Sequence, residues 1–257
     1  MNTIRLILLF LISSPVFNVA ADTYYGTLRG ENLIELKSPY SGVVEHNLKV
    51  DGNVKKNISP LIIKSIELES KKEIINLKIN TLSAKISRLM NEYKSAQNSY
   101  EKGFTSGIEL NQKKDAINEA EISLRELKIE LTALEKVLEM GNPTIHRKFL
   151  VRQFHTADKQ LVNAGDRTVS IEIIDNLYID FKFDPVTIKG RIQDKDITVK
   201  SLVTGHKSKA IVSSVSNSVS NNNTQGAKVA SLLIKTEEID LTQLLDTVFE
   251  IHINDKN

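Results

Sequence analysis

The five histidines are the residues of this chain best suited to metal binding or proton transfer, and their spacing favours neither. No two of them stand four residues apart on a helical stretch, and they lie at His46, His146, His155, His206 and His252. A protein metal site needs several ligands that converge, and two histidines one helical turn apart are its common sequence sign. We therefore expect structural or surface histidines and no metal site.

The sequence also lacks the residue patterns that are typical of nucleophilic or redox catalysis. The chain has no cysteine, which excludes a disulfide, a thiolate metal site, a cysteine nucleophile and a lipid-anchored N-terminal cysteine. No serine lies in a Gly-x-Ser-x-Gly elbow. The three methionines include the initiator, so the Met-rich signature of a copper or silver site is absent. The sequence predicts no catalytic residue, no cofactor and no enzyme.

Three lysines could carry a covalently attached cofactor if the chain were a lipoate or biotin carrier. Lys64, Lys71 and Lys72 precede or begin a helical stretch, and none lies in a Met-Lys-Met or Asp-Lys-Ala turn. We interpret them as solvated lysines. A carrier protein stays open as an alternative function, and the intact mass of the protein would reveal a modified lysine.

The composition argues against nucleic acid as a partner. The formal net charge of the 257 residues is +2, and aromatic residues make up 5% of the chain. A nucleic-acid-binding domain typically shows a concentrated basic surface, and one for single strands adds aromatic stacking platforms. Neither feature is present.

Residues 1–21 predict a secretory signal peptide. Arg5 gives the positive n-region, Leu6–Ile12 gives a short apolar core, and Val19–Ala21 offers small residues for cleavage. The alternative is an uncleaved membrane anchor, but the apolar stretch is interrupted by Ser13, Ser14 and Pro15 and is short for a span of about 20 residues. We expect a periplasmic protein, cleaved after Ala21 and possessing no other membrane segment.

Two apolar repeats on either side of Gly103–Gly107 predict a pair of long helices over residues 66–140. The spacing alternates between three and four residues if Lys113 is counted between Leu110 and Ile117, and this 3.5-residue period is typical of a coiled coil with left-handed supercoiling. The two glycines break the helix, and the short connection makes the arms antiparallel neighbours, each about 50 Å long. The predicted seam consists of Ile75, Ile79, Leu82, Ile86, Leu89, Tyr93, Ala96, Tyr100, Leu110, Ile117, Ala120, Leu124, Leu127, Leu131, Leu134 and Leu138.

Short apolar runs separated by turn signals predict β-structure on both sides of the helices. In residues 37–65, the motif Pro-x-Ser-Gly-Val-Val from Pro39 is followed by Asp51-Gly52 and by Leu61–Ile63, and this order resembles half of a biotinyl/lipoyl domain. Residues 141–175 resemble the second half, with Gly165-Asp166 in the role of Asp51-Gly52. Gly141-Asn142-Pro143 ends the second helix.

The two ends of the chain are predicted to share a small β-barrel. Residues 22–36 form one or more strands that join it, with Gly26 and Gly30 as interruptions, and residues 176–257 supply the remainder. We expect Ser213–Gly226, which is rich in Ser and Asn, to be a surface loop. The remaining predicted strands are Tyr178–Phe183, Val186–Gly190, Ile197–Val203, Lys209–Ser213, Val229–Lys235 and Val248–Ile253.

The order of these parts resembles the periplasmic adaptors, also called membrane fusion proteins or the HlyD-like family. The resemblance implies an α+β fold with a long antiparallel coiled-coil hairpin inserted between two halves of a lipoyl-like domain, followed by a small β-barrel. It also implies a function without catalysis: linking an inner-membrane transporter of the ABC or RND type to an outer-membrane TolC-like channel, in efflux or type I secretion. Relatives act as rings of several copies, and many carry a membrane-proximal domain after the barrel, which we do not expect in this chain.

The turn between the helices resembles the part of the family that meets the channel. Its predicted partner-binding residues are Ser99, Gly103, Phe104, Thr105, Ser106 and Gly107. Many relatives place an Arg, then a Leu four residues later and a Ser seven beyond that, where this chain has Ser95, Ser99 and Ser106. The departure implies either a different contact or a different channel. Phe104 either anchors a partner or covers the end of the helices, and Ser106 is placed to cap the second helix as well as to contact the channel.

A third function is a periplasmic scaffold or holdase that uses the helical pair as a clamp. Such a protein would bind unfolded proteins broadly and would need no transporter.

Overall fold

The computed structural model describes residues 23–188, 190–217, 226–235 and 241–255. The predicted signal peptide, residues 1–21, lies outside these ranges. Two compact units can be separated among these residues: 23–29 together with the described residues from 177 onwards, and 30–176. Among the described residues, no helix has the length and apolar character needed to cross a membrane.

The fold class is α+β, with two long helices and mainly antiparallel strands. Short 3-10 turns lie at Ile192–Asp194 and Leu241–Leu244. In chain order the main elements are β1 (Thr23–Lys37), β2 (Gly42–His46), β3 (Leu61–Lys64), α1 (Ile66–Glu101), α2 (Gly107–Met140), β4 (Phe149–Phe154), β5 (Leu161–Val162), β6 (Arg167–Phe183), β7 (Lys195–Ser201), β8 (Lys207–Asn217), β9 (Lys228–Lys235) and β10 (Val248–Asp255).

In the first unit, the strands follow one another in the order β1-β10-β7-β8-β9-β6, with antiparallel neighbours. A further pairing of β1 with β6 closes this order on itself. Closure leaves no exposed strand edge, which is a common solution for small antiparallel β-domains. The enclosed core includes Leu28, Ile179, Val199, Leu232 and Ile251.

The glycines of β1 do not interrupt it, and that prediction was wrong. The strand runs without a break from Thr23 to Lys37. A Cβ on Gly26 would lie 2.5 Å from Ile179 Cγ2 and 2.6 Å from the carbonyl oxygen of Asp180. Glycine inside a strand often marks a close approach of another backbone, and it does so at this crossing with β6.

The prediction of a strand at Val186–Gly190 was also wrong, because the first residues of this segment form a turn. The backbone N–H of Val186 donates to Asp184 Oδ1 at 2.9 Å, and that of Thr187 donates to the Asp184 carbonyl at 3.1 Å. An aspartate that hydrogen-bonds its own backbone two residues on, followed by proline, is a strong turn signal. The apolar Val186 is exposed at this turn.

The loop predicted at Ser213–Gly226 begins later than expected. Residues 213–217 belong to β8 and pair with β9, with an irregularity in the register between Val212 and Ser214. Residues 218–225 lie outside the described residues. Ser and Asn favour turns in isolation, but cross-strand pairing has overridden that preference in the first part of the segment.

In the second unit, segments from before and after the helices share one core. β2 pairs with both β3 and β5, and β4 pairs with β6. Val44 and Ile63 from the first segment pack with Phe149, Val162 and others from the second. The lipoyl-like identity of this unit stays a prediction from the sequence.

The polar positions of β6 in this unit are buried and satisfied. Val169, Ile171 and Ile173 enter the core, while the alternate side chains make hydrogen bonds. Thr168 Oγ1 donates to the Leu36 carbonyl at 2.9 Å, and Glu172 accepts from the backbone N–H of Gly30 and from Arg152. Buried polar groups that are hydrogen-bonded in this way cost the folded state little free energy.

The two helices bury the side chains at the predicted seam positions. On α1 the residues at seam positions from Ile75 to Ala96 are buried or half-buried, and on α2 the same is true from Leu110 to Leu138. Tyr100 is the exception, because it is exposed and Ser99 is half-buried in its place. Left-handed supercoiling of the pair stays a prediction.

Two ion pairs connect the helices and show that they are antiparallel. Lys71 Nζ lies 3.0 Å from Glu130 Oε1, and Lys72 Nζ lies 2.9 Å from Glu135 Oε1. Residues near the beginning of α1 therefore lie beside residues near the end of α2.

Candidate functional site

The turn between the helices begins with a Schellman motif at the end of α1. The backbone N–H of Phe104 donates to the Ser99 carbonyl and that of Gly103 donates to the Tyr100 carbonyl, each at 2.9 Å. Gly103 has φ = +78°, the left-handed conformation that this motif requires. The left-handed backbone at position 103 therefore explains why this residue is a glycine, and contact with a partner is not needed to explain it.

Phe104 is the most conspicuous side chain of the turn, with 83% of its surface exposed. The residue at its position in a Schellman motif is often apolar and packs against the residue five positions earlier. Here that position is Ser99, so the motif offers Phe104 no apolar partner. The alternative that Phe104 covers the end of the helical pair does not fit an exposure this large.

Ser106 caps the second helix. Its Oγ accepts the backbone N–H of Glu109 at 3.2 Å, and its own backbone is extended, with φ = −80° and ψ = 152°. The pattern Ser-x-x-Glu is a capping-box sequence at a helix start. Of the two roles considered for Ser106, the structure shows the N-cap.

The two remaining polar residues of the predicted site are less accessible than Phe104. Ser99 is half-buried, and its Oγ donates to the Ser95 carbonyl at 3.1 Å. Thr105 is also half-buried. The Ser99 and Ser106 hydroxyls thus hydrogen-bond backbone groups at the two helix ends, and Phe104 is the large apolar side chain that the predicted residues expose.

The prediction that Gly107 breaks the helix was wrong. Gly107 is the first residue of α2. A Cβ at this position would lie 3.6 Å from the ring of Tyr100, an ordinary contact distance. Of the two glycines, Gly103 is the one in the left-handed conformation between the helices. Tyr100 is placed beside the start of α2 instead of in the seam.

The structure adds one residue that the sequence analysis missed. Ile108 lies four residues after Phe104, at the start of α2, and 74% of its surface is exposed. It falls outside the 3.5-residue seam, and this mismatch with the apolar pattern was the available signal. Phe104 and Ile108 give the turn two large apolar side chains in contact with solvent.

The other end of the helical pair is fixed to the strands of the second unit by Tyr40. Its hydroxyl shares its one proton between the Ile63 carbonyl at 2.9 Å and the Leu138 carbonyl at 3.2 Å. The backbone N–H of Ile63 donates to the Gly141 carbonyl at 2.8 Å. Tyr40 thereby ties β3 to the last turn of α2. Burial, together with the charge of Glu69, raises the pKa of Tyr40.

The residues considered for chemistry do not assemble into a reactive site. Within the described ranges, no group of three or more His, Asp or Glu side chains could hold a metal ion. His46 stacks on Phe154 with ring centroids 3.9 Å apart, and His155 Nε2 lies 2.7 Å from Ser170 Oγ. Lys64 Nζ lies 2.6 Å from Glu45 Oε2.

No protein-family model matches the sequence, and no curated protein matches it. The fold is nevertheless similar to solved structures. The membrane fusion protein Spr0693 from Streptococcus pneumoniae R6 superposes with a TM-score of 0.69 at 15% identity, covering 92% of this chain and 100% of that one. MacA from Actinobacillus actinomycetemcomitans gives 0.61 at 16% identity, over 90% and 78% of the two chains.

ZneB from Cupriavidus metallidurans gives a TM-score of 0.59 at 10% identity, over 91% of this chain and 98% of ZneB. At these identities the likeness shows the fold, and the fold is that of the membrane fusion proteins.

Proposed function

We propose that this protein is a periplasmic adaptor that links an inner-membrane transporter to an outer-membrane channel. The transporter is of the ABC or RND type, the channel is TolC-like, and the adaptor has no catalysis of its own. Several copies surround the path of the transported substrate as a ring. The membrane-fusion-protein fold supports the kind of partner, and the helical turn supports the place of contact.

The observation that carries the proposal is an apolar side chain displayed at the far end of a long helical pair. α1 has 36 residues and α2 has 34, so each helix extends about 50 Å at about 1.5 Å per residue. Phe104 stands at the turn, exposed and without an apolar neighbour in its own motif. Large aromatic side chains that are exposed in this way are common anchors in partner grooves.

The residues proposed to bind the partner are Phe104 with Ser99, Gly103, Thr105, Ser106 and Gly107. Their roles differ: Gly103 and Ser106 shape the turn, and Phe104 makes the contact. Because this chain has serines where many relatives have Arg and Leu, we propose that its contact with the channel is mainly apolar.

Site-specific photo-crosslinking in cells tests the proposal. A photoreactive residue at position 104 should form a covalent adduct with an outer-membrane protein. The same residue at Lys128, which is exposed on α2 away from the turn, should not form that adduct. An adduct pattern that is the same at both positions, or many different adducts typical of a holdase, would refute the adaptor function.

A further inference from the structure

A cleft lies at the base of the helical pair, within the second unit. It is bounded by β3, by the first turns of α1 and by the end of α2, and its volume is about 400 Å³. Clefts of about 300–1,000 Å³ are typical of small-molecule sites, which combine apolar side chains with a few polar groups that orient the ligand. We call this space the β3–α1 cleft.

The apolar wall of the β3–α1 cleft comes from β3 and α2. Ile62 and Ile63 of β3 and Leu138 of α2 line it. Ile62 and Leu138 are half-buried, so each keeps part of its apolar surface in contact with water. A ligand with an apolar body would remove this surface from water, which favours binding.

Two carboxylates line the cleft without a basic partner. Glu69 and Glu73 stand four residues apart on α1, so their side chains are neighbours on the helix surface. The ion pairs near this end of α1 use Lys71 and Lys72 with carboxylates of α2, and among the described residues neither Glu69 nor Glu73 forms one. Like charges at this spacing destabilise a helix, and a bound cation would relieve their repulsion.

The two lysines of the cleft are already paired with carboxylates. Lys72 Nζ lies 2.9 Å from Glu135 Oε1, and Lys64 Nζ lies 2.6 Å from Glu45 Oε2. The charge that remains to attract a ligand is therefore the negative charge of Glu69 and Glu73.

A buried hydroxyl adds an acceptor to the cleft. Tyr40 lines the cleft and is only 8% exposed. Its one proton goes to the Ile63 and Leu138 carbonyls, and within the described ranges no group donates to its oxygen, which keeps lone pairs to accept a hydrogen bond. The pKa of Tyr40 is raised by burial and, second, by the charge of Glu69. The Glu69 carboxylate therefore lies close enough to act on this hydroxyl.

We propose that the β3–α1 cleft binds a small organic ammonium ion with an apolar body. A primary ammonium has three N–H donors, and the cleft offers it the carboxylates of Glu69 and Glu73 and the oxygen of Tyr40. The apolar body covers Ile62 and Leu138. This ligand site goes beyond the proposed adaptor function and does not depend on it.

An anionic ligand fits the cleft less well. It would meet like charge at Glu69 and Glu73, and it could pair with Lys64 or Lys72 only in competition with Glu45 and Glu135. An uncharged ligand would gain the apolar contact but would leave the two carboxylates without a counter-charge. The charge of the ligand is therefore the feature to test.

An NMR titration of the purified chain at neutral pH compares three probes that share one apolar body. Phenethylammonium is the cation, phenethyl alcohol is its uncharged analogue, and hydrocinnamate is the anion. Phenethylammonium should shift the backbone amide signals of Ile63, Glu73 and Asn142, and it should bind at least about ten-fold more tightly than either analogue, because hydrogen bonds to charged groups are worth more than a factor of ten.

Charge-removing variants locate the site. Glu69→Gln/Glu73→Gln should weaken phenethylammonium about ten-fold or more. Its matched control is Glu92→Gln/Glu101→Gln, which removes two exposed carboxylates of α1 that begin 19 residues, or about 28 Å, beyond Glu73, and its affinity should be unchanged.

Lys72→Gln distinguishes a cation site from an anion site within the same cleft. It removes a positive charge from the lining, so phenethylammonium should bind as well or more tightly, whereas an anion would bind less tightly. Circular dichroism verifies that every variant is folded.

Absence of binding, equally tight binding of an analogue, or signal shifts outside the cleft would overturn the proposal. An unchanged affinity in Glu69→Gln/Glu73→Gln, or a weaker one in Lys72→Gln, would also overturn it. None of these measurements involves transport or the turn at Phe104, so a failure here is distinct from a failure of the adaptor function.

Discussion

The hydroxyl of Tyr40 occupies the space that a side chain on residue 141 would need. A Cβ built on Gly141 would lie 1.9 Å from Tyr40 Oη. Gly141 ends α2 as its C-cap with φ = −78°, a conformation open to every L-residue. Glycine is thus required at this position by the tyrosine and not by the backbone of the helix end.

Gly141→Ala should destabilise the second unit. The new methyl group overlaps the Tyr40 hydroxyl, which is held by two backbone carbonyls, so the overlap is relieved only by displacing the tyrosine. Overpacking of this kind typically costs about 1–3 kcal/mol. Urea unfolding followed by circular dichroism measures the change in the free energy of unfolding.

Gly107→Ala is the matched control for Gly141→Ala. Its Cβ would meet the Tyr100 ring at an ordinary 3.6 Å, and alanine favours a helix by about 1 kcal/mol over glycine. We expect the stability of Gly107→Ala to be unchanged or slightly raised. If the two alanine variants lose stability equally, the overlap with Tyr40 is not the reason for glycine at 141.

Tyr40→Phe should cost about 0.5–1.5 kcal/mol near neutral pH, because the Ile63 and Leu138 carbonyls lose the phenol proton, although Leu138 keeps the Gly141 N–H as a donor. The effect should depend on pH. Since burial raises the pKa of Tyr40 above its ordinary 10.0, the folded state holds the phenol proton more tightly than the unfolded state. This contribution to stability is complete below pH 10 and is lost as the pH rises through the folded-state pKa.

The comparison of wild type with Tyr40→Phe isolates this effect from lysine titration, which both proteins share. Unfolding free energies measured from neutral to alkaline pH should differ by a constant amount below the tyrosine pKa, and the difference should shrink above it. A difference that stays constant throughout would show that the Tyr40 hydroxyl titrates in the folded protein as it does in the unfolded chain.

Periodicity made the helices predictable, because burial in a helical pair repeats along the chain. The seam positions from Ile75 to Ala96 on α1 could be identified from spacing alone, and their burial follows that spacing. The pattern failed at Tyr100, the last turn of α1. There the Schellman motif at Gly103 begins to redirect the chain, so that the helical repeat no longer determines which side chain faces α2.

Long-range contacts were not predictable in the same way. That Gly141 ends α2 could be predicted from its position before Pro143, but its contact with Tyr40 joins residues 101 positions apart. Gly26 was misread as a break in a strand for the same reason, because the crossing strand that requires it comes from residues 179–180. In the candidate site, the Ser106 cap was a local pattern and could be anticipated, and the exposure of Ile108 was signalled by its place outside the seam, a signal that the sequence analysis did not use.

Two neighbouring isoleucines test the register of the helical pair. Ile75 is 2% exposed and Ile74 is 53% exposed. Ile75→Ala should cost about 2–5 kcal/mol, the range for a buried large side chain, whereas Ile74→Ala should stay within about 0.5 kcal/mol in dilute protein. Thermal or urea unfolding at low concentration measures both. Similar losses in the two variants would contradict the observed burial.

At the turn, Phe104→Ala and Ser106→Ala should separate partner binding from stability. Phe104→Ala removes an exposed side chain with no apolar neighbour in its motif, so the free energy of unfolding should change by less than about 0.5 kcal/mol. Ser106→Ala removes the acceptor for the Glu109 N–H and should cost about 0.5–2 kcal/mol, the range for loss of an N-cap.

Transport should be reduced more by Phe104→Ala than by Ser106→Ala, although Ser106→Ala is expected to cost more stability. With an aromatic anchor absent, Phe104→Ala should abolish transport and crosslinking of the turn to the outer-membrane component, while the protein still associates with its transporter. Ser106→Ala should reduce transport only as far as the folded fraction falls. Transport in cells, together with a melting curve of each purified variant, distinguishes these outcomes. If Phe104→Ala transports and crosslinks at the wild-type level, the aromatic side chain at the turn is not the contact with the channel.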